Sequence, residues 1–262
     1  MILGLYSRLF PNLSAYNDMF WEQIGNTLAM FFQSGIISLI LGLFIGVLLT
    51  IFKKDGIKQN RIVYTILSVI INLFRSIPFI ILIIFLIPFT RAIVGTAIGV
   101  RGAIIPLVFG TVPFYSRQVE TALDNVSPGK IEAARSMGSG ALGLIFRVYL
   151  KEALPELIKV TTITAISLIG LTAMAGAVGA GGLGDFAITF GQQQNHMDIV
   201  YGCLIVLVII ICIIQGIGTL LAKKTTNRAL FIRKNFSTFL SLQEVLSKVQ
   251  IVKKKIKIIN KI

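Results

Sequence analysis

Nothing constrains this chain more than its succession of uninterrupted apolar runs, each of a length that matches a lipid bilayer. Runs over residues 27–52, 62–88, 93–116, 157–178 and 198–222 each supply about the 20 apolar helical residues that a hydrocarbon core about 30 Å thick requires. The third is broken by Arg101, Pro106 and Pro113. Because the runs are continuous and do not alternate, they predict helices rather than barrel strands, and internal hydrogen bonding then satisfies the backbone in lipid. With 55% hydrophobic residues there is little room left for a soluble domain. The expectation is an all-α, multi-pass protein of the plasma membrane, with five transmembrane helices.

Lys and Arg fall in alternate loops. Lys53, Lys54, Lys58 and Arg61 follow the first run, Lys130, Arg135, Arg147 and Lys151 lie between the third and fourth, and residues 223–262 hold eleven Lys or Arg against one Glu. The other loops are nearly free of positive charge. By the positive-inside rule the amino terminus is outside and the carboxyl terminus cytoplasmic. The net charge of +14 therefore points to a cytoplasmic membrane surface rather than to nucleic acid.

Residues 1–23 read as an outer-surface amphipathic segment, with Tyr16, Phe20 and Trp21 suited to the headgroup region. A cleavable signal peptide fits less well, because Arg8 and Pro11 interrupt the short opening apolar stretch. Gly42 and Gly46 form a G-x-x-x-G face for close helix approach, either within one subunit or between two. Arg75 inside the second run must face protein, water or a headgroup, or snorkel. Cys203 and Cys212, nine residues apart in one run, cannot pair along a straight helix and are assigned to packing. The glycines between Gly170 and Ala187 lack the Lys-Ser/Thr of a phosphate-binding loop; they predict a turn where backbones meet. His196 has no second His to share a metal.

Between the third and fourth runs lies a polar, helix-patterned island, SPGKIEAARSMGSGALGLIFRVYLKEALP, at 127–155. Ser127 is placed to cap a helix opening at Pro128, and Gly138 to close it in a left-handed turn. Ser139 is placed to cap a second helix on which Leu142, Ile145 and Tyr149 share a face. A ten-residue helix spans about 15 Å, too short to build a core of its own. This bracket needs a partner surface.

Glu132-Ala133-Ala134 followed by Gly138 resembles the EAA signature of binding-protein-dependent ABC importer permeases, in which a coupling helix docks into the ATPase subunit. RSIPFIIL at 75–82, IPFTRAIVGT at 87–96, PFYSRQVETAL at 113–123, EALP at 152–155 and AMAGAVGAGGLG at 173–184 are similar, in order and spacing, to methionine-type importer permeases. The resemblance covers roughly residues 24–220, which it marks as a type I transmembrane domain. It implies docking through Lys130, Glu132, Ala133, Ala134, Arg135, Met137 and Gly138, and a translocation path or gate near Leu171, Thr172, Met174 and Arg75. The implied assembly is a homodimer with two ABC ATPase subunits inside and a substrate-binding lipoprotein outside. ATP and Mg would bind the ATPase, with no cofactor on this subunit. The sequence itself has no Walker A motif, no G-x-S-x-G and no paired carboxylates set as a catalytic site.

Two departures from that pattern stand out. Lys151 occupies a place where the family signature runs on toward I-x-L-P, which moves the expected bend to Pro155. The basic tail, residues 221–262, suits either a helix lying on anionic membrane lipids or a solvated segment. The alternative function, a secondary transporter or channel not driven by ATP, requires intramembrane carboxylates or a pair of symmetric broken helices, and the runs hold almost no acids.

Overall fold

The computed structural model describes residues 10–226, which are helical with no strand among them. The first nine residues of the amino-terminal segment, and the basic tail from residue 227, lie outside the described residues.

Helix α1 (Pro11–Ala15) leads into α2 (Asn17–Phe52), 36 residues long and so about 54 Å from end to end. Along one face of α2 the buried residues are small: Ser34, Ser38, Gly42 and Gly46. This notch receives the central helix of the bundle, α5 (Gly99–Asp124). A Cβ on Gly42 would stand 2.6 Å from Tyr115 Cδ1, and one on Gly46 2.6 Å from Val119 Cβ. The G-x-x-x-G face therefore serves packing within the subunit.

The second apolar run is not one straight span. It forms α3 (Arg61–Ser76) and α4 (Phe79–Val94), bent by 110° at the break. Pro78 lacks an N–H and forces Ile77 into an extended conformation (φ −81°, ψ 123°), so the helix cannot run through. Asn60 caps α3 by accepting the amides of Ile62 and Val63 at 3.1 and 3.2 Å. Gly95, at φ 82°, ends α4, and α5 starts only at Gly99, six residues later than the run expected from residue 93.

The expectation of five spans is met in part. Among the described residues three helices are long and apolar enough to cross a membrane, α2, Leu154–Ala180 and Met197–Thr226, and the bent α3–α4 pair counts as a fourth when taken as one span. Helix α5 has the length but not the apolarity, because protein rather than lipid surrounds it: fourteen of its 26 residues are buried, Glu120 and Ser116 among them.

After α5 come α6 (Pro128–Ser136) and α7, a rod made of Ala141–Gly143, a π-helical segment Leu144–Tyr149 and Leu150–Glu152. Helix α8 (Leu154–Ala175) carries Pro155 in its first turn, so the chain bends at Ala153, close to the expected place. It runs on through Gly176–Ala180, where Val178 and Gly179 leave helical geometry. A short α9 (Gly182–Phe186) and a π-helical turn Ala187–Gln192 follow, then α10 (Met197–Thr226). Cys203 on α10 is buried, but Cys212 is exposed, so the packing role expected for both holds for Cys203 alone.

Three clusters hold the bundle together. At the bracket end, Tyr115, Val119, Leu123, Tyr149 and Leu157 join α5, α7 and α8. The middle is filled by Met30, Phe79, Leu82, Leu107 and Leu168. At the other end Leu13, Phe20, Leu183, Phe186 and Ile199 bring α1, α2, α9 and α10 together.

Polar clasps reinforce that last end. Gln23 Oε1 accepts the Gly182 amide at 2.7 Å and Thr27 Oγ1 the Leu183 amide at 2.8 Å, so α2 caps α9. Asp198 accepts the amides of Asn12 and Leu13 at 2.8 and 3.1 Å, and Asn12 Nδ2 at 3.0 Å. These satisfy first-turn donors that α1 cannot satisfy itself. In the glycine-rich turn backbones touch, as expected: a Cβ on Gly184 would lie 2.1 Å from the Ala173 carbonyl oxygen.

Candidate functional site

The polar island folds as a bracket across the end of the bundle. Pro128 opens α6, but Ser127 makes no side-chain cap; with proline at the first position one of the orphan donors is already gone. Gly138, at φ 78°, closes the helix. Its amide bonds the Arg135 carbonyl at 2.9 Å and that of Ser139 bonds the Ala134 carbonyl at 3.0 Å, the paired bonds of a Schellman motif. The amide of Ser139 is committed there, and Gly140, without a side-chain cap, precedes α7.

Ile131 and Ala134 turn inward on α6, toward the cluster around Tyr149. Lys130 pairs with Glu152 on α7, although both are half exposed and such a pair contributes at most about 1 kcal/mol. Arg135 Nη2 reaches the Gly56 carbonyl at 3.4 Å in the loop between α2 and α3. Glu132, Ala133 and Met137 face outward, and Glu132 has no ion pair among the described residues. Of the implied docking residues, only Ala134 is buried in the subunit.

Leu142 does not share a face with Ile145 and Tyr149. Those two are buried, whereas Leu142 is 72% exposed, because the π-helical winding of Leu144–Tyr149 changes the angular step along the rod. Phe146, 65% exposed, lies beyond it and Met137, 79% exposed, before it. The outer face thus combines large apolar side chains with Glu132 and the nearby Arg135. Leu142 and Phe146 were not among the residues implied from sequence; only the π-helical turn reveals them.

At the end of α5 next to the bracket, a polar network joins the helices of the bundle. Arg117 Nη1 meets Glu120 Oε2 at 2.5 Å, Arg117 Nη2 reaches Ser68 Oγ at 2.9 Å and Asn72 Oδ1 at 3.3 Å, and Tyr64 donates to Glu120 Oε1 at 3.1 Å. Tyr115 and Thr161 hydroxyls meet at 2.8 Å, joining α5 to α8. Polar contacts thus tie α5 to α3 and α8 beside the bracket, which itself packs on this end through Tyr149. The i, i+3 spacing of Arg117 and Glu120, just past the third apolar run, was the available sequence signal for this network.

The residues implied for a path or gate separate. Arg75 and Leu171 line one cavity of about 260 Å³ between the α3–α4 break, α5 and α8. Thr172 is buried and donates to the Ile169 carbonyl at 2.7 Å. Met174 lines a separate, apolar recess with Ile80, Leu204 and Leu207.

The model of the family described as "binding-protein-dependent transport system inner membrane component" matches residues 38–227. The D-methionine transport system permease protein MetI of Salmonella typhimurium is 48% identical over 142 residues, which are 54% of this chain and 64% of that protein. The probable D-methionine transport system permease protein MetI of Pasteurella multocida is 42% identical over 212 residues, 79% of this chain and 98% of that protein. Among solved structures, an inward-facing conformation of the MetNI methionine ABC transporter superposes with a TM-score of 0.79 at 43% identity, covering 80% of this chain and 98% of that one.

Proposed function

The chain belongs to the family of binding-protein-dependent transport system inner membrane components, and from that premise we propose that it is the permease subunit of an ATP-driven methionine importer. The observation that carries the proposal is the bracket: with α6 closed by Gly138 and seated on the ends of α5 and α8, it exposes Glu132, Met137, Leu142 and Phe146 on its outer face.

In this reading the protein is a multi-pass component of the plasma membrane and works as a homodimer. Two ATPase subunits bind ATP and Mg on the cytoplasmic side, and a substrate-binding lipoprotein delivers methionine from outside. Glu132, Arg135, Met137, Leu142 and Phe146 meet the ATPase. Lys130 and Gly138 hold the shape of the docking helix, and Ala133 and Ala134 keep its two faces low. ATP-driven closure of the partners moves the two brackets together and shifts the permease between inward-open and outward-open states. The α3–α4 pair and α5 cross the membrane along with α2, α8 and α10, with the amino terminus outside and the carboxyl terminus cytoplasmic. Arg75 and Leu171 flank the path, and Thr172 and Met174 support the helix that gates it.

The test is uptake of labelled methionine into proteoliposomes holding this chain with its ATPase. Transport that requires ATP inside and binding protein outside is the expected result. Uptake driven by an ion gradient without ATP would overturn the proposal.

A further inference from the structure

The cavity at the α3–α4 break has a lining that sorts by chemistry. Arg75, Thr111 and Ser167 supply polar groups, and Phe74, Phe79 and Leu171 are among the apolar ones. Thr111 is 2% exposed and its hydroxyl has no partner among the described residues. Ser116 on the same helix and Thr164 on α8 behave differently, each returning its hydroxyl to the carbonyl four residues back, at 2.7 and 2.8 Å. A buried hydroxyl that makes no such bond and borders a cavity is available to a molecule that enters the cavity.

Arg75 points the same way. No carboxylate pairs with it among the described residues, and an arginine in an apolar run is costly unless water or an anion meets it. Its planar fork matches a carboxylate with two parallel hydrogen bonds. Among the described residues no Asp or Glu lines the cavity, which disfavours a cationic guest. A volume of about 260 Å³ lies below the roughly 300–1,000 Å³ of pockets for drug-sized ligands, so the guest is a single small molecule. The aromatic and aliphatic wall suits a flexible aliphatic or thioether side chain.

We propose that this cavity is a transient site for a neutral amino acid inside the permease. The α-carboxylate lies on Arg75, the polar end is completed by the hydroxyls of Thr111 and Ser167, and the side chain rests among Phe74, Phe79 and Leu171. The proposal rests on the import reading and adds to it a second point of selection after the binding protein. The α3–α4 break is then what exposes Arg75 to the site.

Equilibrium binding of radiolabelled methionine to the intact permease–ATPase complex in nanodiscs, without binding protein or nucleotide, tests it. Saturable binding is expected, weakened roughly fivefold by Thr111→Val, which removes one hydrogen bond with little change of shape, and about tenfold or more by Arg75→Gln. Methionine methyl ester, which lacks the carboxylate, should compete poorly against the unaltered complex. Absence of saturable binding while ATP-dependent uptake persists overturns the site and leaves the import reading standing. Binding that neither variant nor the ester distinguishes lies elsewhere in the complex and overturns it as well. Loss of ATP-dependent methionine uptake in the unaltered complex would instead overturn the import reading. Should Arg75→Gln fail to assemble, the Thr111→Val and ester arms decide alone.

Discussion

Arg117 and Glu120 stand one turn apart on α5 and meet at 2.5 Å, with Glu120 almost wholly buried. Removing one partner leaves the other charge uncompensated, which costs about 3–5 kcal/mol at buried sites. Arg117→Met is expected to lower the thermal unfolding midpoint in detergent far more than Tyr64→Phe, which removes one hydrogen bond worth about 1 kcal/mol. Equal midpoints for the two variants would show that the network does not hold α3 to α5.

Glycine positions divide sharply by what a methyl group would meet. At Gly184 a Cβ would lie 2.1 Å from the Ala173 carbonyl oxygen, whereas at Gly170 it would meet nothing within 4 Å. Gly184→Ala should therefore destabilise by several kcal/mol or abolish accumulation, since backbone would have to move. Gly170→Ala, inside α8, should be neutral or stabilise by up to about 1 kcal/mol through helix propensity. Membrane levels and detergent unfolding of the pair provide the check.

At Gly138 the constraint is conformational. The position has φ 78° and open space around it, so Gly138→Leu costs about 1–2 kcal/mol in the left-handed turn without a clash. Normal insertion with transport reduced several-fold is the expected outcome, and Gly138→Asn should recover part of it. Normal transport by the leucine variant would count against the bracket as the coupling element.

Phe146 is 65% exposed, so Phe146→Ser should leave stability within about 0.5 kcal/mol. If it anchors the partner interface, loss of a large aromatic there should weaken ATPase association about tenfold or more. Co-purification at dilute concentration measures this, and an unchanged yield of complex would remove Phe146 from the docking face.

Legibility from sequence followed the range of the interactions. Gly138 was readable because a left-handed stop is a local matter of φ, and the meeting of backbones at residues 176–184 because glycines that dense leave no side chains to hold two backbones apart. The caps at Ser127 and Ser139 were not: the Lys130 amide bonds the backbone carbonyl of Ser127 instead, and the next helix opens after Gly140 rather than Ser139. Leu142 escaped because α-helical spacing does not hold through a segment that winds as a π-helix. The α3–α4 bend was present in Pro78, but a continuous apolar run masked it. Arg117 and Glu120 belonged to a helix whose shielding by protein no one-dimensional hydropathy pattern records.

The clasp of Asp198 on Asn12 bears on the proposed topology. Residue 12 and residue 198 share one end of the bundle, so the chain between them has made an even number of passages. Tyr64 on α3 reaches Glu120 near the bracket, while Thr90 on α4 lies beside Ala175 and Ala180 at the other end, so the bent pair counts as one full passage rather than a dip and return. With α2, α5 and α8 that makes four. Helix α10 then runs back, passing Thr162 at Gly218, and brings the total to an odd number. On the proposed reading, in which each of these passages crosses the bilayer, reporters fused before residue 10 and after residue 226 should sample different compartments.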